Sequence, residues 1–363
     1  VDVTDEVHPA TQRICERAAA LVGLDICGVD LVTSDISQLM DGGILELNAS
    51  PGLRMHVAPS GGRARDVGGL IVDGIVPPGT QARVPICAVT GTNGKTTVAR
   101  LLAHLMTASG QRVGMTSTDG IQIGADMVRR GDLTGAASAR TVLADPTVDV
   151  AVLETARGGI LRRGLGYDWA DVGVITNVTA DHLGQDGIDT VDDLVWIKSL
   201  VAERVRDGGT LVLNADDSGS HRMAGLERVD VSRLNLVLFG LDPTTGPLAE
   251  HLLAGGKGYY VQGGWLVESE RGRERSVARL VDTPLTMDGR ARFQVQNALA
   301  AAAAARALGV PRETVAMGLA TFRSQQNSGR VNVYAHGRGY VFVDYGHNEA
   351  AVRAAGELLA GWS

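Results

Sequence analysis

Apolar and polar positions change spacing repeatedly along this chain, from strand-like to helix-like and back. Short apolar runs at residues 84–89, 112–115, 148–153, 172–175 and 210–213 are separated by stretches with helical periodicity, among them 98–106 and 191–205. Runs that are apolar on both faces and joined by helices predict an open, mostly parallel sheet covered by helices, an α/β fold. Residues 259–267 read as a hairpin turning at Gly263-Gly264, ahead of an alanine-rich helix over 296–308. Before this block the pattern predicts a helix over 9–21 and strands near 26–32 and 43–47, closed by the turn-rich Val76-Pro-Pro-Gly-Thr-Gln81. After Gly329 come a strand pair, 331–334 and 339–343, and a helix from about Glu349 to Leu359. Three segments result: 1–80, 81–326 and 327–363.

The chemistry concentrates first at T-G-T-N-G-K-T-T, residues 90–97, between an apolar run and a helical one. A glycine-bracketed turn ending in Lys-Thr at a helix N-terminus offers backbone N–H groups, an ammonium and a hydroxyl to a phosphate chain and its Mg²⁺. Gly91, Thr92, Asn93, Gly94, Lys95, Thr96 and Thr97 are therefore the expected ATP-binding loop. Val89 stands where the general P-loop expression has its first glycine, so the loop is a variant; an ordinary strand-to-helix turn is the alternative.

The form of this loop resembles the Mur ligases and folylpolyglutamate synthases, which join an amino acid to a carboxylate using ATP. Glu154, in L-E-T-A-R-G-G, and Asn177, Asp181 and His182, in N-V-T-A-D-H-L-G, follow predicted strands, at the strand ends where open α/β sheets place ligands. A carboxylate and a neutral imidazole are competent Mg²⁺ or Mn²⁺ ligands beside a triphosphate. The resemblance implies that Thr96, Glu154 and His182 hold the catalytic cation, with Asn177 on the nucleotide side. It also implies that Lys198 is a lysine converted to a carbamate, although on its own residue type a solvated helix-face lysine is equally open. Asn214 and Asp216, in L-N-A-D-D, suit an Asx turn and a helix cap. By resemblance Asn297 approaches the base, Arg330 meets the phosphates and Asp344, in V-D-Y-G-H-N, meets the nucleotide. The motifs follow the family's order.

The N-terminal segment adds a second resemblance. Asp30, in C-G-V-D-L-V, and Glu46 and Asn48, in G-I-L-E-L-N-A-S-P-G, lie on two predicted strands, and Glu46 and Asn48 share a face. Converging oxygens suit a hard cation, while polar residues on a solvated strand face are the alternative. E-x-N-x-x-P-G resembles the last strand of ATP-grasp ligases, where Asp, Glu and Asn bind Mg²⁺. The end of an ATP-grasp domain over 1–80, a Mur-type central domain over 81–326 and the start of a Rossmann-like C-terminal domain over 327–363 is the arrangement of the cyanophycin synthetases. T-D-E-V-H-P, N-A-S-P-G-L-R-M-H and T-A-R-G-G-I-L-R are similar to them.

That resemblance implies an ATP-dependent amide ligase acting through an acylphosphate and adding arginine to an aspartate-backbone polymer, with a homo-oligomer for the full-length enzyme. D-Y-G-H-N-E departs from the family's D-Y-A-H-N-P at Gly346 and Glu349. The upstream ATP-grasp half is absent and the third segment is short, so an internal piece of a longer protein or a degenerate relative is expected. Another Mur-type or folate-type ligase and a non-catalytic nucleotide-binding module remain open.

Composition narrows the classes. With 363 residues, 44% of them hydrophobic, the chain has enough apolar mass for two or three domains. A net charge of -7 argues against a nucleic-acid partner read through phosphates. No apolar run approaches the ~20 residues a bilayer needs and no signal-peptide pattern opens the sequence, so a cytoplasmic protein without a membrane partner is expected. Cys15, Cys27 and Cys87 lack C-x-x-C spacing and read as buried thiols.

Overall fold

The computed structural model describes residues 1–80, 83–337 and 339–361. Gln81, the last residue of the expected linker, lies outside them, as do the start of the 81–326 segment at 81–82 and the end of the 327–363 segment at 362–363. Two compact units divide between Arg83 and Val84.

In the first unit, helix α1 (Pro9–Val22) starts with a proline at its first position and ends at Gly23, whose φ of 79° closes it with a left-handed turn. Strands β1 (Gly28–Val32) and β2 (Gly43–Asn48) pair antiparallel, with Asp30 opposite Glu46 and Gly28 opposite Asn48. Helices α2 (Arg54–Val57) and α3 (Val67–Ile75) follow. Cys15 and Cys27 are only partly covered, against expectation, because this unit buries few side chains completely; Cys87 is buried.

The second unit alternates strands and helices: β3 (Ile86–Thr90), α4 (Lys95–Ala108), β4 (Val113–Ser117), β5 (Gly120–Ile123), β6 (Asp126–Arg130), α5 (Ala136–Leu143), β7 (Val150–Glu154), α6 (Arg157–Arg163), β8 (Ala170–Ile175) and α7 (Val191–Glu203). It continues through β9 (Val205–Asn214), α8 (Ser218–His221), β10 (Asn235–Phe239), α9 (Gly246–Leu253), β11 (Lys257–Gln262), β12 (Trp265–Glu270), β13 (Arg273–Arg279), α10 (Arg292–Ala307) and α11 (Arg312–Thr321). Strands β14 (Asn332–His336) and β15 (Gly339–Val343) then form a separate antiparallel pair before α12 (Glu349–Ala360).

Among the described residues β3 to β13 make one 11-stranded sheet in the order β13-β12-β11-β10-β9-β8-β3-β7-β4-β5-β6. From β11 across to β4 the strands run parallel, and an antiparallel pair extends each end. Strand β3 is buried at every position, as the apolar run 84–89 predicts. Its neighbours are β7 and β8, so chain connections diverge on either side of it, and ligands of such sheets sit beyond the carboxyl ends at that point. One core packs α4 and α10 together on the sheet; residues 298–305 are all buried, and the alanines, all of them but Leu299, let the two helices pack closely.

Two of the boundaries that differ from the sequence pattern have a local backbone cause. Val205 opens β9 rather than ending α7, because Arg204 leaves the helical conformation at φ -90°, ψ 20°. Helix α4 begins at Lys95 rather than Val98, since Gly94, at φ 85°, is the residue that turns the chain into the helix.

Candidate nucleotide site at the end of strand β3

Residues 91–94 turn between β3 and α4 with Gly91 at φ 151° and Gly94 at φ 85°, values that glycine adopts without strain. A side chain at Gly91 would overlap the Thr176 hydroxyl, and one at Gly94 the Asn297 amide oxygen. The turn is therefore packed against the ends of β8 and α10, and glycine is needed for that approach.

Its backbone is braced from β8. Asn177 accepts the Asn93 N–H at 2.9 Å and donates to the Asn93 carbonyl at 3.0 Å; Thr176 donates to the same carbonyl at 2.6 Å. Thr92 donates its N–H to the Asn177 carbonyl at 2.8 Å and its hydroxyl to the Thr179 carbonyl at 3.1 Å. Thr97 is buried and accepts from Asn327 at 3.3 Å. No side chain caps α4, so the N–H groups of its first turn face the pocket as donors for an anion.

The charged groups of the site converge on that turn. Lys95 Nζ donates to the Thr92 carbonyl at 2.9 Å, and burial lowers its pKa while Glu154 opposes the shift. Thr96 donates its hydroxyl to Glu154 Oε1 at 3.1 Å, and Arg330 reaches Thr96 Oγ1 at 3.3 Å with its guanidinium over the Tyr345 ring, 4.4 Å from the centroid. Glu154 is 1% exposed, and burial raises its pKa against the pull of Lys95. Lys198 is 3% exposed, not solvated, and donates to the Gly91 carbonyl at 2.8 Å. Burial, then repulsion from Lys95, pushes its pKa well below the usual lysine range. The site thus gathers mutually repelling cations around an uncapped helix end, an arrangement that a polyanion would relieve.

All of these residues line one pocket of about 480 Å³, together with Asn177, His182, Asn297 and Asp344. Asn297 lies against Gly94 and donates to Gln294 at 2.9 Å. Asp344 spends both oxygens on its own segment, accepting from Val331 N–H at 2.9 Å and Gly346 N–H at 2.6 Å. His182, at φ 51°, sits with Asp181 and His347, their ligand atoms all within 4.8 Å of one another. His347 of the V-D-Y-G-H-N phrase lines the pocket and Asn348 contacts its loop; local pattern singled out neither, and chain folding alone brings them there. Asn348 exchanges side-chain hydrogen bonds with Asn93 at 3.1 and 3.0 Å.

Asn214 and Asp216 form the Asx turn, with Asp216 N–H on Asn214 Oδ1 at 3.0 Å, but Asp217 is the cap of α8. In the first unit Asn48 donates to Asp30 at 3.2 Å, and Glu46 is the register partner of Asp30 on the paired strand. No helix among the described residues is long and apolar enough to cross a membrane.

The chain is 46% identical to cyanophycin synthetase of Trichormus variabilis, with all of this chain and 40% of that protein aligned. It is 45% identical to cyanophycin synthetase of a Synechocystis species, over all of this chain and 42% of that protein. The chain thus spans about 40% of the length of these relatives. Among solved structures, MurF from Acinetobacter baumannii superimposes with a TM-score of 0.57 at 20% identity, covering 77% of this chain and 55% of that one. A bifunctional folylpolyglutamate synthase/dihydrofolate synthase with Mn, AMPPNP and L-glutamate bound gives 0.52 at 22% identity, over 77% and 67%. These likenesses show the Mur ligase-like α/β fold with its mostly parallel central sheet. The Mur ligase middle domain matches residues 89–305, more than half of the sequence, and the chain belongs to that family.

Proposed function

We propose that this chain is the Mur-type ligase part of a cyanophycin synthetase-like enzyme, forming an amide through an acylphosphate at the expense of ATP. The observation that carries the reading is the uncapped N-terminus of α4, with Lys95 and Thr96 on it and the buried Glu154 beside them. In this reading the N–H groups at the uncapped start of α4, residues 94–97, and the Lys95 ammonium hold the triphosphate, and Arg330 lies beside Thr96 to meet the same phosphates. Asn177 and Asn297 act on the loop itself, and Asp344 acts by shaping the turn that carries Tyr345 and His347.

The donors present fit Mg²⁺. A hydroxyl and a buried carboxylate whose ionisation is disfavoured are relieved by a hard cation, so Thr96 and Glu154 would hold it with His182. The ion would neutralise charge on the transferring phosphoryl group. A peptide carboxylate oxygen attacks the γ-phosphorus, ADP leaves, and Lys95 stabilises the charge that develops on the phosphoryl oxygens. The amine of the incoming amino acid then attacks the acyl carbon, and phosphate departs as the amine loses its proton. Arginine as that amino acid and an aspartate-backbone polymer as the acceptor follow from the relatives named cyanophycin synthetase. Lys198 is buried against the Gly91 carbonyl, and burial shifts it toward the neutral amine, the form that reacts with CO₂; we assign it as the carbamate site. Residues 1–80 are the end of an ATP-grasp domain with Asp30, Glu46 and Asn48 as its cation residues, and residues 327–363 begin a Rossmann-like domain. The full-length enzyme is a homo-oligomer in this reading.

The test is ligation itself. The chain is mixed with ATP, Mg²⁺, a β-aspartyl peptide and arginine, diaminopimelate or glutamate, and ADP and amide product are followed. Arginine-dependent amide formation supports the assignment. Product with diaminopimelate or glutamate instead would replace it with another Mur-type ligase, and bound ATP with no product under any of the three would make the chain a nucleotide-binding module.

A further inference from the structure

Two imidazoles and a carboxylate meet on the lining of the pocket, apart from the hydroxyl and carboxylate pair of Thr96 and Glu154. The Asp181 Oδ1 stands between the rings, 3.8 Å from His182 Nε2 and 3.7 Å from His347 Nε2, and the ring centroids are 5.7 Å apart. Ligand atoms of a four-coordinate zinc ion, each at about 2.0 to 2.2 Å from the metal, lie roughly 3.3 Å from one another. Small side-chain rotations therefore bring these three atoms into one shell.

Both imidazoles are held in place from behind. His347 Nδ1 meets the Tyr345 carbonyl at 3.3 Å, and against a carbonyl that nitrogen is the donor. In the neutral ring Nε2 then carries the free lone pair, and it is the atom that faces Asp181. Metal-bound histidines are oriented in this way, with the other N–H resting on a carbonyl or carboxylate. The Tyr345 ring packs edge-on against the same imidazole at 5.2 Å. His182 owes its place to a turn. Its φ of 51° is uncommon for a residue with a side chain, and Arg157 fixes that turn by donating to the carbonyls of His182 at 3.1 Å and Gln185 at 3.4 Å.

We infer that Asp181, His182 and His347 form a second ion site, for a transition metal of the zinc type, which ties the 181–186 turn to the 344–348 segment and competes with Mg²⁺ for His182. Nitrogen-rich donor sets favour zinc and the later first-row divalent ions, whereas Mg²⁺ prefers oxygens such as those of Thr96 and Glu154. A neutral imidazole has one lone pair, so His182 serves one ion at a time. Filling the second site thus holds back the reaction at the first. The competition rests on the ligase reading above; the site itself stands without it.

The experiment uses Co²⁺ as the probe, because its visible absorbance reports coordination directly. Titrated into the nucleotide-free chain, Co²⁺ should give one saturable visible spectrum that Zn²⁺ bleaches. His347→Ala and Asp181→Asn should each weaken binding about tenfold or more, since loss of even an outer partner of a ligand costs about 10- to 100-fold. His347→Cys should restore binding and add a sulfur charge-transfer band, which puts residue 347 on the ion. Thr96→Ala should leave the cobalt spectrum as in wild type. One equivalent of Zn²⁺ should suppress Mg²⁺-dependent ligation, and a chelator should restore it. A wild-type chain without a cobalt spectrum, an unchanged affinity in His347→Ala, or a spectrum lost in Thr96→Ala overturns the inference. A sulfur band in wild type would put the ion on the partly covered Cys15 and Cys27 and overturn it equally. Zinc bound at the site with ligation undiminished overturns the competition. Cobalt binding by a chain that does not bind Mg-AMPPNP leaves the site standing and removes the ligase reading instead.

Discussion

Asn93 in the phosphate loop and Asn348 at the start of α12 trade amide hydrogen bonds at 3.1 and 3.0 Å, across 255 residues of sequence. The same Asn348 oxygen accepts the Ala351 N–H at 3.0 Å, so one side chain both caps α12 and ties it to the loop. Closing the nucleotide turn and ordering the 344–348 segment are thereby coupled. Asn348→Ala removes a cap worth about 1 kcal/mol and an amide pair of similar size. Asn348→Asp keeps the cap but loses the donor to Asn93. Hydrogen exchange should show α12 opening more readily in the alanine variant, less so in the aspartate variant, with the amides of β3 and β7 unchanged in both.

Glu154 separates stability from activity. Burial raises its folded-state pKa above 4.5, so the folded protein favours the protonated form, and the stability this provides is lost as pH rises through the folded value. Above the unfolded value the buried carboxylate is a net cost, and Glu154→Gln should leave the melting temperature equal or higher. Mg²⁺-dependent ligation in the same variant should fall by about 100-fold or more, since a ligand of the charge-neutralising cation is gone. Thermal melts and turnover on one preparation check both halves.

Lys198 carries a pH signature of the same kind with the opposite charge. Its folded-state pKa is pushed well below 10.5, so between that lowered value and 10.5 the unfolded chain binds more protons and stability rises with pH. Lys198→Met should flatten that rise and increase stability at neutral pH, as denaturant titrations across the range would show. With ¹³C-bicarbonate, wild type should display a carbamate carbonyl resonance that Lys198→Met lacks.

Much of this site was legible locally. The phosphate loop and the N-V-T-A-D-H-L-G phrase each follow, and Glu154 ends, a strand buried at every position, and a strand packed on both faces announces itself as an apolar run. Strands β6 and β13 escaped because they lie at the two ends of the sheet, where D-M-V-R-R is exposed throughout and R-E-R-S-V-A-R is mostly so. The start of α10 was read late: Arg292 to Val295 add a turn ahead of the alanine run that drew attention. His347 and Asn348 reach the pocket through tertiary folding, and no local spacing encodes their meeting with His182 and Asn93. Lys198 is the sharpest case. Residue type allows a solvated lysine, and only the packing of α7 beneath the phosphate loop shows a buried one.

Gly91→Ala tests the backbone of the loop. At φ 151° and with its new methyl group on the Thr176 hydroxyl, the variant must shift either the loop or β8. A loss of about 2 to 4 kcal/mol in denaturant stability is expected, together with loss of nucleotide binding. Thr176→Ala in the same chain should recover part of the stability, because it removes the clashing oxygen.

The central claim, that the turn between β3 and α4 is a triphosphate site, is tested most directly by calorimetry with Mg-AMPPNP on wild type and Lys95→Ala. Lys95 is the first residue of the uncapped helix, and the helix dipole alone is worth only about 0.3 to 1 kcal/mol to an anion. The account predicts one saturable site in wild type and a loss of about 100-fold or more in affinity in Lys95→Ala, with the melting temperature of the nucleotide-free chain preserved. Equal affinity in the two proteins would contradict it and make the loop a structural turn.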